Sequence, residues 1–215
     1  MRILIVDDHG IVREGLKSLL QNQSGVEVVG EGQDGQIAVE LAEQLSPDMV
    51  IMDMSMPNLN GIEATRLILQ HRPNTKVIIL SMHPDGHIVK EALAAGASAY
   101  VLKSNLFDEM LRALEAVAEG GRYLSPRITD VVIDDYVGKS AEGEPAKTSK
   151  LTSRERQIVQ LVAEGKTIKE IALILHISPK TADSNRRQMM SKLGFSSVPE
   201  LTKYAIREGL TSLEF

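Results

Sequence analysis

The sequence predicts an α/β protein, a doubly wound five-stranded parallel sheet followed by a small all-α domain. Short β-branched runs alternate with helical patterns over residues 1–120, and only helical patterns recur from Leu151 onward. Strands that are separated by single helices need crossover connections. Right-handed crossovers build a parallel sheet with helices on both faces.

The five predicted strands are apolar runs without polar alternation, which is typical of strands buried on both faces. They are predicted at residues 2–6, 26–30, 48–53, 76–81 and 98–102. Helical patterns between and after them predict helices at residues 10–21, 35–45, 61–71, 86–95 and 106–119. Gly and Pro residues at the ends of these segments, such as Pro73 and Gly96, support the assignment.

The chain changes character after residue 120. Ser125-Pro126 predicts the N-cap and first turn of a short helix that ends near Gly138. Residues 139–149 contain no large apolar side chain and are predicted to form a flexible linker. Further helices are predicted at residues 152–164, 168–175, 179–193 and 198–208. We therefore expect a first domain at 1–120, a connection with a short helix at 121–149 and a second domain at 150–215.

Composition restricts the protein's environment. The 215 residues are 43% hydrophobic and 25% charged, which is ordinary for a globular protein. The absence of Cys excludes disulfides and thiolate metal sites and fits a reducing compartment. The apolar runs are too short to cross a bilayer, and no basic leader precedes the first strand. We expect a cytoplasmic protein without a membrane partner.

Charge is distributed unevenly along the chain. Residues 1–149 carry 13 Lys and Arg against 22 Asp and Glu, a net charge of −9, whereas residues 150–215 carry 11 against 7, a net charge of +4. An acidic first part and a basic second part suggest separate partners.

Acidic residues follow two of the predicted strands. Asp7 and Asp8 come directly after the first strand, and Asp53 ends the third. Ligands of open parallel sheets bind at the carboxyl ends of the strands, so we expect the three carboxylates to meet there. Carboxylates that cluster repel one another unless a hard cation holds them, and oxygen ligands favour Mg2+.

Two further polar residues, Ser81 and Lys103, follow the fourth and fifth strands. At the same sheet edge, Lys103 can neutralise a phosphoryl oxygen and Ser81 can donate a hydrogen bond to one. Asp53 is then a carboxylate that can be phosphorylated, while Asp7 and Asp8 hold the metal.

This set of residues, together with Asp53-Met-Ser-Met-Pro57 and Asn60-Gly61, resembles the receiver domain of bacterial two-component response regulators. The resemblance implies a flavodoxin-like fold with Asp53 as phosphoacceptor. It also implies that the Ser55 carbonyl completes the Mg2+ shell and that Ser81 and Tyr100 form a switch pair. Tyr100 would rotate inward on phosphorylation and remodel the face formed by the fourth helix, fifth strand and fifth helix.

One motif suggests a different function. Gly30-Glu-Gly32-Gln-Asp-Gly35 matches the G-x-G-x-x-G pattern of dinucleotide-binding enzymes. Glu31 and Asp34 would, however, place two negative charges beside a pyrophosphate. Asp34 is better suited to cap the following helix, so a dinucleotide-binding enzyme is the less favoured alternative.

The second domain contains a predicted helix-turn-helix, with Ser178 capping a helix opened by Pro179. Ala182, Met189 and Leu193 recur at helical spacing and would face the core. On pattern alone the module could bind protein or RNA instead of DNA. The candidate DNA-binding residues on this helix are Lys180, Thr181, Asp183, Ser184, Arg186, Arg187 and Lys192.

The segments Leu151-Thr-Ser-Arg-Glu-Arg156, Lys169-Glu-Ile-Ala172 and Lys192-Leu-Gly194 resemble the LuxR-type helix-turn-helix. With a receiver domain before it, the chain resembles the NarL/FixJ family of transcriptional regulators. Ile168, Asp183 and Asn185 depart from the family's usual residues. Asp183 replaces a groove-facing cation, so the family's operator preference is not transferred to this chain.

The resemblance implies a regulator that is phosphorylated at Asp53 by a sensor histidine kinase and then binds double-stranded DNA as a homodimer. The protein would not be an enzyme beyond assisting its own Mg2+-dependent phosphorylation and dephosphorylation. The resemblance and the apolar face of the last helix, around Leu201 to Leu210, suggest dimerisation through that helix.

Overall fold

The computed structural model describes residues 1–139 and 151–212, of which 134–139 are described by their backbone alone. Its strands are β1 (Arg2–Val6), β2 (Glu27–Gly32), β3 (Met49–Asp53), β4 (Lys76–Ser81), β5 (Ala99–Leu102) and β6 (Tyr123–Leu124). They form one sheet in the order β2-β1-β3-β4-β5-β6, and every pair is parallel. The predicted doubly wound α/β fold class is confirmed.

Helices cover both faces of the sheet. They are α1 (Gly10–Gln21), α2 (Gly35–Leu45), α3 (Gly61–His71), α4 (Gly86–Ala94) and α5 (Leu106–Ala118). Successive residues of a strand point to opposite faces, so Ile3 and Ile5 pack with residues of α1 and α5, whereas Leu4 and Val6 pack with residues of α2, α3 and α4. The central strands are therefore buried on both faces.

The predicted number of strands was wrong by one. The sheet has a sixth strand, in which Tyr123 pairs with Ala99 and Leu124 pairs with Tyr100. Two residues are too few to show a hydrophobic period, so no sequence pattern marked this strand.

The next helix, α6 (Pro126–Lys139), begins where it was predicted, directly after Ser125. The Ser125 hydroxyl accepts a hydrogen bond from the Leu102 backbone N–H at 2.9 Å and donates one to Glu109. Ile128 is fully buried in the core beneath α4. The start of α6 is thus packed against the sheet domain.

The described C-terminal residues, 151–212, form four helices with a core of their own. They are α7 (Ser153–Ala163), α8 (Ile168–Ile174), α9 (Pro179–Leu193) and α10 (Val198–Arg207). Thr152 and Thr167 form capping boxes with Glu155 and Glu170, and such caps typically contribute about 1 kcal/mol each. Among the described residues, no helix is long and apolar enough to span a bilayer.

The observed helix bounds agree with the predicted ones to within one residue at each end, which is the usual uncertainty of helix ends. The strand β2 runs two residues beyond its predicted end. The flexible linker was predicted at residues 139–149. All of it except Lys139 lies outside the described residues.

Candidate functional site

The structure brings the predicted acidic residues together at the carboxyl edge of the sheet. Asp7 follows β1 and is fully buried, and Asp53 ends β3 with only 2% of its surface exposed. Lys103 follows β5, and its ammonium nitrogen lies 2.7 Å from Asp7 Oδ2 and 2.9 Å from Asp53 Oδ1. One cation from β5 thus bridges the acids of β1 and β3.

The environment changes the proton affinity of Asp53. Burial and the charge of Asp7 raise the pKa of Asp53 to about 7, although Lys103 opposes this rise. Burial alone lowers the pKa of Lys103, but its interactions with Asp53 and Asp7 outweigh burial and raise it. Within the described residues, the negative charge of the Asp7, Asp8 and Asp53 carboxylates is therefore greater than the positive charge of Lys103.

The surplus acid oxygens are positioned to share a cation. Asp7, Asp8, His9 and Asp53 each offer a ligand atom, and these atoms all lie within 4.8 Å of one another. The cluster can hold a metal ion, and its carboxylate oxygens suit a hard divalent cation. Ser55 lines the same small cavity as Asp8, Asp53 and Lys103.

His9 was not among the site residues predicted from the sequence. In the structure His9 Nδ1 lies 2.7 Å from Asp8 Oδ1 and 3.3 Å from Asp7 Oδ1. Its direct adjacency to Asp8 was the signal that could have indicated this position.

The two predicted switch residues are buried behind the acids. Ser81 accepts a hydrogen bond from the His83 backbone N–H at 3.0 Å, and the Tyr100 hydroxyl donates to the His83 carbonyl at 2.9 Å. Burial raises the pKa of Tyr100 to about 12. The Tyr100 ring already occupies the inward position, and both residues meet at the β4–α4 loop through His83.

Gly61 allows α3 to begin directly beside the acids. A Cβ atom at this position would collide with the backbone carbonyl oxygen of Asp53. Asn60 caps α3 by accepting a hydrogen bond from the Glu63 N–H at 2.9 Å. Asn60-Gly61 therefore fixes the loop that follows Asp53.

The glycine motif at residues 30–35 does not form a nucleotide cradle. The Asp34 side chain accepts a hydrogen bond from the Ile37 N–H at 2.9 Å, so a carboxylate already occupies the N-terminus of α2. Glu31 pairs with Lys17 at 2.6 Å. Gly35 is required because a Cβ atom would meet the carbonyl oxygen of Leu59.

The candidate DNA-binding helix is α9, which is anchored by Ala182 and Met189, both buried. Ser178 caps it and accepts a hydrogen bond from the Thr181 N–H at 3.1 Å. The predicted contact residues form its outer surface, where Asp183 and Arg186 are partly buried and the others are exposed. The exposed ones are Lys180, Thr181, Ser184, Arg187 and Lys192.

Asp183 is engaged by its own helix. Its carboxylate lies 3.0 Å from Arg186 Nη2 and 2.6 Å from Arg187 Nη2. These pairs lower the pKa of Asp183, Arg186 being the main cause. Lys192 pairs with Glu155 of α7 at 2.8 Å. The predicted set thus includes an acid that offsets two of its arginines.

Sequence reasoning missed the residues that join the two parts of the chain. Gln160 of α7 is fully buried against the loop that follows Asp53, where it contacts Met56 and Asn60. Arg156 of the same helix pairs with Glu63 of α3. Helical periodicity assigns these residues to α7 but says nothing about a partner in another domain.

Comparison with known proteins agrees with both parts of the structure. Residues 3–115 match the family described as "Response regulator receiver domain", and residues 149–205 match "Bacterial regulatory proteins, luxR family". The chain is a LuxR-type response regulator. Transcription regulation is the function of this family, which confirms the functional class predicted from the sequence.

Similar proteins extend over the whole regulator. The chain is 36% identical over 218 residues to the response regulator UvrY of Escherichia coli, covering 100% of this regulator and 97% of that protein. It is 35% identical over 222 residues to the transcriptional regulatory protein DegU of Brevibacillus brevis, covering 97% and 94%. A structure of RcsB from Salmonella enterica bound to promoter DNA with a phosphomimetic has a TM-score of 0.62 at 28% identity and covers 98% and 99%.

Proposed function

We propose that this response regulator accepts a phosphoryl group on Asp53 from a sensor histidine kinase and thereby controls binding of α9 to double-stranded DNA. The observation that carries the proposal is the position of the Lys103 ammonium group between Asp7 and Asp53 at the sheet edge. Family membership supports the reaction class, and this geometry supports the choice of residues.

The reaction uses Asp53 as the nucleophile. A carboxylate oxygen of Asp53 attacks the phosphorus of a phosphohistidine, the P–N bond breaks, and the histidine nitrogen leaves with the bonding electron pair. The product is an acyl phosphate on Asp53. Its formation requires ionised Asp53, and the pKa of about 7 leaves this form well populated at neutral pH.

Lys103 and the acids would have different electrostatic roles. After transfer, the Lys103 ammonium group can pair with a phosphoryl oxygen where it now pairs with the Asp53 carboxylate. Asp7, Asp8, Asp53 and the Ser55 carbonyl would hold Mg2+. The ion, when bound, screens the incoming phosphoryl oxygens from the acids.

Ser81 and Tyr100 would carry the signal from the acyl phosphate. Ser81 can turn its hydroxyl toward a phosphoryl oxygen and release the His83 N–H that it now accepts. Tyr100 is bound to the same residue, so a change at Ser81 reaches the β4–α4 loop and α4.

The exposed face of α9 supports DNA binding. Lys180, Thr181, Ser184 and Arg187 can contact phosphates and base edges in a major groove, while Arg186 and Asp183 position one another. Lys192 lies near the end of the helix and is suited to a backbone phosphate. We further propose that the active regulator is a cytoplasmic homodimer, since paired half-sites match a two-fold protein.

The proposal also defines the division of the chain. Residues 1–120 form the receiver domain, 121–149 the connection and 150–215 the DNA-binding domain. The protein would perform no catalysis beyond its own phosphorylation and dephosphorylation.

Labelling by a small phosphodonor tests the receiver. The full-length protein should be labelled in the presence of Mg2+, and the Asp53→Asn variant should not. Asp48→Asn is the matched control because Asp48 is exposed and directly precedes β3, the strand that Asp53 ends. Equal labelling of Asp53→Asn and the wild type would reject Asp53 as phosphoacceptor.

Retention on duplex DNA tests the second domain. Binding should fall steeply with salt, and Arg187→Ala should weaken it. Retention that is independent of salt would favour the alternative that this domain binds protein.

A further inference from the structure

A buried carboxylate on α5 contacts the short strand that follows this helix. Glu109 is only 4% exposed and lies on the buried face of α5. Its described polar neighbours are hydrogen-bond donors: the Ser125 hydroxyl, the Tyr123 hydroxyl at 3.4 Å and the Asn105 side-chain amide at 3.5 Å. Burying a carboxylate costs free energy, and an apolar side chain would fill this face without that cost. Core packing alone therefore does not account for Glu109.

Ser125 completes the edge of the sheet with its side chain. The Ser125 N–H donates to the Tyr100 carbonyl at 3.0 Å, and the parallel ladder would next pair the Leu102 N–H with the Ser125 carbonyl. That carbonyl is taken by the first turn of α6, where it accepts hydrogen bonds from the N–H groups of Ile128 and Thr129 at 2.8 and 3.0 Å. The Ser125 hydroxyl accepts the Leu102 N–H at 2.9 Å in its place. One side chain thus lets α6 begin and keeps the end of β5 paired.

Glu109 fixes the direction of this hydroxyl group. A backbone N–H can only donate, so Ser125 must accept from Leu102 and has one proton left to donate. That proton goes to the Glu109 carboxylate. Ser125 is only 1% exposed, so loss of either partner would leave a buried polar group without its hydrogen bond.

Glu109 is connected to the backbone on both sides of Lys103. Leu102, which precedes Lys103, is held through Ser125. Asn105, two residues after Lys103, donates to the other oxygen of Glu109. The segment between them is a single 3-10 turn, Lys103–Asn105, which joins β5 to α5. The turn that carries Lys103 is therefore held at both ends by one buried carboxylate.

The Lys103 ammonium group has to be placed accurately. It lies 2.7 Å from Asp7 Oδ2 and 2.9 Å from Asp53 Oδ1, at the end of a flexible four-carbon side chain. Misplacing a reacting or charge-stabilising group by about 1 Å can lower a rate by about a hundredfold. Because the side chain itself is flexible, the position of its backbone limits where the ammonium group can lie.

We propose that Ser125 and Glu109 are positioning residues for the phosphorylation of Asp53, because they hold the turn that places the Lys103 ammonium group between Asp7 and Asp53. The inference rests on the proposed function, since it concerns the rate at which Asp53 is phosphorylated. It also makes Ser125, which follows the predicted end of the receiver domain at residue 120, necessary for the chemistry of that domain.

Removal of the hydroxyl group tests the proposal. Full-length Ser125→Ala should be labelled by phosphoramidate with Mg2+ roughly tenfold more slowly than the wild type, at a temperature where both are folded. Thr75→Val is the matched control, because the Thr75 hydroxyl is also buried and donates to the Pro47 carbonyl at 3.1 Å before β4 begins. The control should lose stability but keep its labelling rate. Equal rates for Ser125→Ala and the wild type would overturn the proposal.

A conservative variant separates the hydroxyl group from the packing of Ser125. Ser125→Thr keeps the hydroxyl and should recover most of the labelling rate. Ser125→Cys keeps the volume of the side chain but offers only a weak hydrogen-bonding group, so it should be slow; it replaces Ser125→Ala if that variant does not fold. A Thr variant as slow as the Cys variant would contradict the role of the hydroxyl.

The carboxylate provides an independent test. Glu109→Gln retains an oxygen that can accept the Ser125 proton and should be labelled nearly as fast as the wild type. Glu109→Leu has no acceptor and should be slowed to about the same extent as Ser125→Ala. A wild-type rate for Glu109→Leu would exclude Glu109 as a positioning residue.

A double-mutant cycle shows whether Ser125 acts through Lys103. If it does, Ser125→Ala should lower the rate in the wild type but not in the Lys103→Ala background, where the positioned group is already missing. A general loss of structure would slow both backgrounds by the same factor. Equal factors in the two backgrounds would reject the positioning role.

The proposed function and the positioning role fail in different ways. If the wild type is not labelled at Asp53, the proposed function fails. If the wild type, Ser125→Ala and Glu109→Leu are all labelled at Asp53 at the same rate, the proposed function stands and the positioning role is rejected.

Discussion

Lys103 and Asp53 form an ion pair at 2.9 Å, although one follows β5 and the other ends β3. The pair is mostly enclosed, since the Lys103 side chain is 12% exposed and that of Asp53 is 3% exposed. Lys103 partly offsets the effect of burial on Asp53, and the balance between these two effects leads to the first two predictions.

Lys103→Ala should slow phosphorylation by raising the pKa of Asp53 further above 7, since the lysine favours the ionised carboxylate. At pH 7 the first unit of pKa gained should lower the labelling rate about fivefold, because half of the wild-type carboxylate is already protonated there, and each further unit should lower it about tenfold. The rate of the variant should also rise at higher pH than that of the wild type. Initial labelling rates measured between about pH 6 and pH 9 at fixed Mg2+ test this, with Lys76→Ala as control. A pH midpoint that does not move would contradict the assigned role of Lys103.

Asp53→Asn should stabilise the Mg2+-free protein at alkaline pH. The folded-state pKa of Asp53, about 7, lies above its unfolded value, so the folded protein binds the proton more tightly. The wild type therefore loses stability as pH rises from the unfolded pKa through about 7, by up to about 4 kcal/mol. Thermal unfolding in a chelator should show a Tm for Asp53→Asn several degrees above wild type at pH 8 and little difference at pH 4. A variant that is less stable at pH 8 would argue against charge repulsion at this site.

Asp8→Asn should reduce stabilisation by Mg2+. A ligand that binds only the folded state raises stability by about 2.7 kcal/mol at a hundredfold excess over its Kd. Loss of one carboxylate ligand should move the Mg2+-dependent rise in Tm to higher concentrations, whereas Asp48→Asn should leave it in place. Identical Mg2+ titrations for Asp8→Asn and the wild type would mean that Asp8 does not hold the ion.

Asp183→Lys should raise non-specific DNA affinity. The substitution removes the carboxylate that pairs with Arg186 and Arg187 and frees both guanidinium groups while adding a cation. Each additional phosphate contact steepens the dependence of log affinity on log salt by about 0.9, so the variant should bind random duplex more tightly at low salt and lose affinity faster. Asp130→Lys is a control with the same charge change on α6. Unchanged or weaker binding at matched salt would count against Asp183 facing DNA.

Much of the receiver could be predicted because its signals are local. A buried parallel strand is an apolar run, and residues placed after such runs meet at one sheet edge, so the proximity of Asp7, Asp53 and Lys103 followed from their positions alone. The pairs made by Asp183 were also within reach, since residues three and four apart on a helix are neighbours. The strand at Tyr123 could not be predicted, because two residues are too few to show a hydrophobic period.

The contact between Asn60 and Gln160 could not be predicted in this way. Gln160 occupies a buried face of a helix, and its sequence neighbours show only that α7 is amphipathic. The partner that satisfies a buried amide lies in another domain, and a hydrogen bond between domains has no signature in either local segment. Position of one domain on the other is set by several weak polar pairs, not by a period of hydrophobic residues.

The Asn60 side chain has two structural roles. Its oxygen caps α3, and its amide group donates hydrogen bonds to Gln160 and Leu210. Asp or Ser at this position could still begin the helix but could not donate the same bonds. Relatives that exchange Asn60 for another cap residue should therefore also vary at position 160. Covariation of positions 60 and 160 among related sequences would indicate that the relatives share this contact.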